Sequence, residues 1–407
     1  MDRTERQKLG IQKWIKSGGC GVLCYATGVG KTNTSLMLVK ALVNKNANTK
    51  VLIAVPTEVL KEQWTKELIK RNLFTHCKVE IFNSLIKNIY CVDLFIIDEA
   101  HLSASEKFIY MYECVTYKYI LGLSATWERL DGAHQRLEQY MQICDTITLE
   151  QALQNGWIAP YRNYKVLLDV DLTTYYELNS RFQSVFAVFG HDFKLIMELV
   201  QNPKKARIWA QKHGLQVDKV RGFLAVFMRL LRQRKAFVMS HAKKFEIANR
   251  ILDARPNSKC IIFSATVKDA EMFKKRALTL HSQKKKKENA KILEQFNQMD
   301  IGVISSPKAL NQGVDVKGLS VGIAITCDSS QTTNVQKIGR ICRFEEGKQA
   351  EMFTLVIKNT IENTWFDNAN KNTSYITITE KQLETVLKNE YLSVRPKRGV
   401  ADLEHRF

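Results

Sequence analysis

The stretch CGVLCYATGVGKTNTSLMLVKAL, residues 20–42, decides how the rest of the chain is interpreted. It begins with an apolar run, continues through a loop with two glycines and ends with apolar residues at helical spacing. Gly28 and Gly30 allow backbone N–H groups of the loop to turn inward, at the positive end of the following helix. The order of strand, loop and helix therefore predicts a site for the phosphate groups of a nucleotide.

The loop supplies the groups that such phosphates require. Lys31 adds a positive charge, and Thr32 adds a hydroxyl oxygen suited to Mg²⁺. The usual pattern GxxxxGK[ST] has a glycine where this chain has Tyr25, so the match is incomplete. The strand before the loop and the helix after it still favour a phosphate site. The predicted nucleotide-binding residues of the loop are Thr27, Gly28, Val29, Gly30, Lys31 and Thr32.

Two more motifs follow apolar runs in the first part of the chain. DLFIIDEAH places Asp98 and Glu99 after a predicted strand, where one carboxylate can hold Mg²⁺ and the other can polarise an attacking water. Alone, this pair would be an ordinary acidic turn, but here it follows a phosphate loop. LGLSATWERLDG offers Ser124 and Thr126 as hydrogen-bond partners for His101, although SAT by itself indicates only a turn.

The second half of the chain carries two motifs that suit the same site. KALNQGVDV offers Gly313 and Asp315 to a ribose and to a nucleic-acid backbone. QKIGRICR places Arg340 and Arg343 on neighbouring turns of one helix, beside the polar Gln336. A guanidinium remains charged and can clamp a transferring phosphoryl group from across a cleft. Without the first half of the chain, surface ion pairs would explain both arginines.

Short apolar runs alternate with helical patterns in two parts of the chain. The runs lie at 21–25, 51–55, 79–82, 94–97 and 120–123, and again at 260–263, 302–305, 321–326 and 352–357. Runs rich in Val, Ile and Leu with helices between them are typical of buried parallel strands. Between the two parts, apolar residues recur at three- and four-residue spacing, which predicts helices.

This organisation predicts an α/β protein with two parallel-sheet domains and a helical insert between them. At 407 residues the chain is long enough for two or three domains, each with its own core. The predicted units are a first sheet domain (1–158), a basic helical insert (159–255), a second sheet domain (256–370) and a C-terminal extension (371–407).

The net charge of +20 is unevenly distributed. Residues 201–255, called the basic window below, contain 14 Lys and Arg but 3 Asp and Glu, a net charge of +11. A solvated helical face would explain any single lysine. The window as a whole favours a polyanion such as nucleic acid, because each neutralised phosphate releases counterions.

Composition argues against several other classes of protein. No run approaches the roughly eighteen apolar residues of a membrane span, and the N-terminus lacks the apolar stretch of a secretory signal. Nine cysteines without paired CxxC motifs fit neither a disulfide framework nor a zinc site. These features predict a protein of the reducing cytoplasm, or of the host cytoplasm if it is encoded by a phage.

In their order, these motifs resemble those of the superfamily 2 helicases and translocases, over about residues 3–357. The likeness is greatest to the DEAH-box-like group, with its XPB-type, UvsW-type and restriction-enzyme motor subunits. It implies two RecA-like domains, ATP and Mg²⁺ as cofactors, and nucleic acid as the partner. It also implies a monomeric motor with possible partners in replication or recombination.

The resemblance assigns a role to each candidate residue. Gln7 corresponds to the glutamine that recognises adenine. The residues of the hydrolytic cleft would be Lys31, Thr32, Asp98, Glu99, Gly313, Asp315, Gln336, Arg340 and Arg343, with Thr32 and Asp98 on Mg²⁺. His101, Ser124 and Thr126 would couple this cleft to the nucleic acid. The nucleic-acid contacts would be Pro56, Thr57, Asn83, Ser84, Ser264 and Thr266.

The chain departs from the family pattern at two positions. Trp127 follows SAT where relatives usually have proline, and Lys337 replaces a usual arginine, which retains the charge but loses the bidentate fork. The residues with direct catalytic roles are all present. We therefore expect an ATP-dependent DNA helicase or translocase of replication, recombination or repair. An RNA helicase and a non-enzymatic nucleic-acid-binding scaffold are the alternatives.

Overall fold

A computed structural model describes residues 1–129, 131–307 and 316–388 of the chain. These residues form two parallel β-sheets and a bundle of helices, which confirms the predicted α/β class. Gly313 and Asp315 lie outside the described residues. Within the described part of the chain, no helix combines the length and apolar character that a bilayer span requires.

The first sheet consists of β1 (Cys20–Tyr25), β2 (Val51–Val55), β3 (Cys77–Ile81), β4 (Tyr90–Asp98), β5 (Val115–Ser124) and β6 (Ile143–Ile147). Its strands are all parallel, in the order β3-β2-β4-β5-β1-β6. The inner strand β2 is buried throughout, as expected for a sheet with helices on both faces. Because parallel strands end at one edge, β1, β4 and β5 bring the phosphate loop, Asp98 and Ser124 to the same side.

The helices of the first domain connect these strands. They are α1 (Arg3–Lys16), α2 (Lys31–Lys45), α3 (Glu58–Lys70), α4 (Phe82–Leu85), α5 (Met111–Cys114) and α6 (Leu149–Gln154), with 3₁₀ turns at Phe74–His76, Ala100–Ala104 and Ala133–Leu137. Side chains of Asp2 and Thr57 cap α1 and α3 by accepting backbone N–H groups. α1 buries Gln7, Gly10 and Trp14, so this face of the helix lies against the sheet.

Four helices form a bundle with a core of its own: α7 (Thr173–Val188), α8 (Phe193–Gln201), α9 (Pro203–Lys212) and α10 (Val217–Met239). Phe182 of α7 and Phe227 of α10 meet in this core, with ring centroids 4.8 Å apart. Asn202 caps α9, where Pro203 occupies the first turn and removes no helical hydrogen bond. The bundle agrees with the helical periodicity of the insert.

The second sheet consists of β7 (Tyr161–Leu168), β8 (Lys259–Ser264), β9 (Leu278–Thr279), β10 (Gly302–Pro307), β11 (Val321–Ala324), β12 (Ala350–Ile357) and β13 (Ile376–Thr379). Its strands are also parallel, in the order β13-β7-β12-β11-β8-β10-β9. The helices of this domain are α11 (Ala242–Ala254), α12 (Val267–Glu271), α13 (Lys286–Gln298), α14 (Gln331–Ile341), α15 (Ile361–Ala369) and α16 (Glu380–Lys388).

The domain boundaries differ from the predicted ones on both sides of the second sheet. β7 falls within the predicted insert, 159–255, but pairs with β12 along its whole length. α11 falls there too, and its Ile247 and Ile251 pack into the core of the second sheet. β13 pairs with β7, so part of the predicted C-terminal extension, 371–407, belongs to the second sheet. Sequence periodicity reveals a strand but not its partner far along the chain, which explains these differences.

A buried ion pair joins α11 to α15. Lys244 Nζ lies 2.6 Å from Glu362 Oε1, and both side chains are fully buried. Nζ also donates to the Ile325 carbonyl at 3.1 Å, and the Ile357 N–H donates to Glu362 Oε2 at 3.0 Å. Lys244 is therefore unavailable to a polyanion, although it belongs to the basic window.

Replacing Lys244 with methionine is expected to lower the free energy of unfolding by about 3–5 kcal/mol, because Glu362 would stay buried without its cation. Urea denaturation followed by circular dichroism measures this loss. Lys243 is the matched control, since it is partly exposed and pairs with Glu246 and Glu380. Lys243→Met should cost at most about 1 kcal/mol. Equal losses in the two variants would contradict the importance of the buried pair.

Candidate nucleotide-binding cleft

The loop between β1 and α2 has the backbone geometry of a phosphate site. Gly28 and Gly30 have φ angles of 91° and 99°, in the left-handed region that glycine adopts readily. Gly30 is the N-cap of α2, so the first free N–H groups of that helix border the loop. Lys31 Nζ donates to the Tyr25 carbonyl at 3.0 Å. An anion bound here would meet backbone N–H groups, a helix N-terminus and one ammonium group.

Gln7 contacts this loop directly. Its side chain is buried, and its Nε2 donates to the Val29 carbonyl at 2.7 Å. Asn33 Nδ2 donates to Gln7 Oε1 at 2.7 Å, and Arg71 in turn donates to Asn33 Oδ1 at 2.9 Å. Gln7 therefore braces the loop, and its recognition of adenine stays a prediction. Asn33 and Arg71 were not predicted, because their contacts join residues that are separated in sequence.

The acidic pair lies at the carboxyl end of β4. Glu99 has a φ of 51°, a left-handed conformation that is uncommon for a residue with a side chain and concentrates at functional sites. Asp98 is held by two donors, with Trp64 Nε1 at 2.8 Å from Oδ2 and the Glu99 N–H at 3.0 Å from Oδ1. Trp64 is a site residue that the sequence did not reveal, although it lies in the helix that follows Pro56 and Thr57.

The charges around this pair come from both domains. Burial raises the pKa of Asp98 to about 6, and the neighbouring Glu99 carboxylate adds to the rise. Burial also raises the pKa of Glu99, but Lys31 and Arg340 oppose that rise. Burial lowers the pKa of Arg340 to about 10, against the influence of Glu99. Lys31, Glu99 and Arg340 thus form one electrostatic group across the two sheets.

The predicted coupling residues form a hydrogen-bonded chain. The Ser124 hydroxyl donates to the Thr126 carbonyl, so its only proton is used there. His101 Nδ1, 2.9 Å from Ser124 Oγ, must then be the donor in that pair. Burial, with Arg129 and Lys31 nearby, lowers the pKa of His101 to about 3, so the ring is neutral.

The chain of contacts continues into the second domain. Thr126 Oγ1 lies 2.5 Å from Thr332 Oγ1, at the start of α14. On the same helix, an added Cβ on Gly339 would overlap the side chain of Thr27 in the phosphate loop. Gly339 therefore permits a close approach between α14 and the loop. This contact was not predicted, because it depends on how the domains pack.

Gln336 and Arg343, the other predicted residues of the QKIGRICR motif, have different surroundings from Arg340. Burial lowers the pKa of Arg343, and Glu345 opposes this shift, so Arg343 lies near a carboxylate of its own domain. Gln336 lines a separate cleft between the domains, called the larger cleft because its volume exceeds that of a cavity of about 210 Å³ between α8, α9 and α10. α14 ends at Ile341, so the prediction that one helix carries both arginines is wrong and Arg343 lies beyond its end. Of the three predicted residues of this motif, Arg340 is the one whose charge reaches Glu99.

The larger cleft has a volume of about 1240 Å³ and lies between the first domain, α10 and the second domain. Its wall from the second domain is rich in hydroxyl groups, from Ser264, Thr266, Thr326, Ser330, Thr332 and Thr333. α10 contributes the exposed Arg232 and Lys235, and the first domain contributes His101. Hydroxyl and cationic groups of this kind suit a nucleic-acid backbone.

The remaining predicted nucleic-acid residues follow β2 and β3 at the same edge of the first sheet. Thr57 caps α3, while Pro56 and Ser84 are partly exposed. Asn83 is exposed and accepts a hydrogen bond from Lys107 Nζ at 2.6 Å. All four are described residues, and none of them lines the larger cleft. Their contact with nucleic acid stays a prediction.

The two residues that depart from the family pattern are both buried. Trp127 is buried and packs into the core of the first domain. Its backbone N–H faces the Cys24 thiol, a contact that proline could not make. Lys337 is buried at the edge of the larger cleft, with its ammonium group 5.7 Å from the centre of the Phe263 ring.

Two family models match the chain, one over part of each sheet domain. Residues 2–90 match the model of the type III restriction enzyme, res subunit, and this range contains the phosphate loop. Residues 243–345 match the helicase conserved C-terminal domain, and this range contains Arg340. The two matches occur in the order that the motifs predict.

The chain is also similar to a full-length relative and to solved structures. The DNA 3′-5′ translocase XPB2 of Sulfurisphaera tokodaii is 24% identical over 396 residues, 89% of this chain and 83% of that protein. The ATP-dependent Type ISP restriction-modification enzyme LlaBIII bound to DNA gives a TM-score of 0.60 at 16% identity, over 93% of this chain and 31% of that one. S. cerevisiae Dbp5 bound to RNA and ADP BeF3 gives a TM-score of 0.61 at 14% identity, over 94% of this chain and 91% of that one. The two structures establish the fold alone.

Gly339→Ala is expected to lower the rate of ATP hydrolysis at saturating ATP by about tenfold or more, because the added methyl group would overlap Thr27 and hold the domains apart. Phosphate release measures this rate. Gly222→Ala is the matched control, since this glycine of α10 has open space around it and alanine favours the helix. Wild-type hydrolysis by the Gly339 variant would show that the close contact is unnecessary.

Proposed function

The chain belongs to the superfamily 2 helicases and translocases, and on this premise we propose that it couples ATP hydrolysis to movement along DNA or to separation of its strands. Members of this superfamily hydrolyse ATP, and the chain is such an enzyme. The observation that carries the proposal is the position of Glu99, a partly buried carboxylate that interacts with Lys31 of one domain and Arg340 of the other. A cleft completed by both domains links the state of the nucleotide to their separation.

Each residue of the cleft has a task that its position allows. The N–H groups of the loop, together with Lys31, would neutralise the β- and γ-phosphates. Arg340 would stabilise the negative charge that develops on the transferred phosphoryl group. Glu99 would accept a proton from the attacking water, and its buried Oε2 has no hydrogen-bond partner within the described part of the chain.

ATP is proposed to bind together with Mg²⁺. Thr32 and Asp98 offer a hydroxyl and a carboxylate, the hard oxygen ligands that this ion prefers. The described residues include no cluster of three or more His, Cys, Asp or Glu that could hold a metal ion. Proteins usually bind Mg²⁺ through one or two side chains together with the substrate phosphates. When bound, the ion would neutralise charge on the phosphate oxygens.

Nucleic acid is proposed to occupy the larger cleft. Ser264, Thr266 and Gln336 lie along its second-domain side, and the cations of α10 lie on another. His101 lines this cleft while its Nδ1 contacts Ser124, and the hydrogen-bonded chain continues from there to Thr126. His101 Nδ1 also lies 3.6 Å from Glu99 Oε2, so a shift of the bound strand would reach the nucleotide cleft through His101.

DNA is the proposed track. The relative that matches most of the chain is named a DNA translocase, and the match extends over both domains. The likeness to the RNA-bound structure concerns the fold alone. A scaffold without hydrolytic activity is disfavoured, because Glu99 and Arg340 are both present and the fold brings them together.

Purified wild-type protein is expected to hydrolyse ATP severalfold faster, or more, when DNA is added, because a bound strand would favour the closed arrangement of the domains. Phosphate release can be compared with no polynucleotide, a DNA fork, a Holliday junction, 3′-tailed and 5′-tailed DNA duplexes and an RNA duplex. Equal rates with and without polynucleotide would refute the motor. Stronger stimulation by RNA would replace DNA with RNA as the track.

Lys31→Ala and Glu99→Gln are each expected to reduce ATP hydrolysis at least about a hundredfold, because phosphate binding or proton acceptance is lost. Affinity for labelled DNA, measured by fluorescence anisotropy in the absence of nucleotide, should stay close to that of the wild type. A parallel loss of DNA binding and hydrolysis would instead indicate misfolding.

A further inference from the structure

Asp145, on the edge strand β6, is a buried carboxylate that the proposed chemistry does not use. Three side chains donate to it. Arg6 donates from both Nη atoms, with Nη2 2.9 Å from Oδ1, and Lys13 Nζ lies 2.6 Å from the same oxygen. The Tyr25 hydroxyl donates to Oδ2 at 2.7 Å. Burial alone would raise the pKa of Asp145, but these hydrogen bonds hold it below its ordinary value, so the group is ionised at neutral pH.

The first connection from Asp145 to the phosphate loop runs through Tyr25. This residue ends β1, and its carbonyl accepts the hydrogen bond from Lys31 Nζ. Its ring is fully buried and lies so close to α1 that a Cβ on Gly10 would overlap the hydroxyl group. The bond to Asp145 thus fixes the residue from which the loop begins. It also explains how an aromatic residue fits at a position where the usual pattern has glycine.

The second connection runs through α1. Arg6 and Lys13 lie two turns apart on this helix, so their bonds to Asp145 hold α1 at a fixed position against β6. Gln7 follows Arg6 in the sequence and donates to the Val29 carbonyl in the middle of the loop. A displacement of α1 would therefore move the group that braces the loop.

We propose that Asp145 is a positioning residue for nucleotide binding, because it fixes both the start of the phosphate loop and the helix that braces its middle. The ligand class is a nucleoside diphosphate or triphosphate, so this inference rests on the proposed function. A loop that is already ordered loses less conformational entropy when the phosphates bind. A charged cluster that served stability alone would affect unfolding but not nucleotide affinity.

The test is a fluorescence titration of the full chain with N-methylanthraniloyl-ADP, together with steady-state ATP hydrolysis. Asp145→Asn retains the size of the side chain but removes its charge, and should weaken binding about tenfold. Tyr25→Phe removes one hydrogen bond and should weaken binding about threefold. In both variants the KM for ATP should rise while kcat stays within about twofold of the wild type, since ground-state and transition-state binding are lost equally.

Glu351→Gln is the matched control, because Glu351 accepts from both Nε and Nη2 of Arg255 in the second domain, in a pair whose side chains are 14% and 12% exposed. This variant should bind the probe like the wild type. If Asp145→Asn and Tyr25→Phe lower only the melting temperature and leave probe affinity and KM unchanged, Asp145 is not a positioning residue. A wild-type protein that binds no probe would refute the proposed function itself, and the inference with it.

Discussion

The Glu99 carboxylate, whose Oε2 is buried where the two domains meet, is the constraint on which the rest of the structure depends. A carboxylate removed from water loses much of its hydration energy, and nearby cations are needed to compensate. Lys31 comes from the same domain, whereas Arg340 comes from the second and is itself buried. The charges of Glu99 and Arg340 stabilise each other, so the packing between the two domains also determines the electrostatics of the nucleotide site.

This constraint accounts for the crowded and strained positions around the cleft. The left-handed backbone of Glu99 costs about 1–2 kcal/mol for a residue with a side chain. Asp98 beside it is held by the Trp64 indole, and across the interface Gly339 leaves room for Thr27. These features lie where the domains meet. The core of the helical bundle is formed by residues of the bundle itself, so it does not depend on the contact between the two sheet domains.

Much of the fold and the centre of the site could be predicted from the sequence, because both depend on local patterns. Apolar runs identified most of the strands, and the phosphate loop and Asp98 lie at the ends of such runs. Partners that are distant in the chain leave no local signal. For that reason β7 was assigned to the insert although it belongs to the second sheet. Trp64 and Asp145 were missed because their hydrogen bonds join residues far apart in sequence.

The net charge of the basic window does not show which of its cations are available to a ligand, because that depends on contacts between distant residues. Lys244 pairs with the buried carboxylate of Glu362, and Arg234 stacks over the ring of Phe182 within the bundle. Neither cation therefore reaches a ligand. Arg232 and Lys235 are exposed and line the larger cleft from α10. α10 also packs into the core of the bundle, so that core fixes the helix that carries both cations. A nucleic acid in the cleft would meet these cations opposite a wall of hydroxyl groups. The net charge of the basic window therefore overstates the number of its cations that face the cleft.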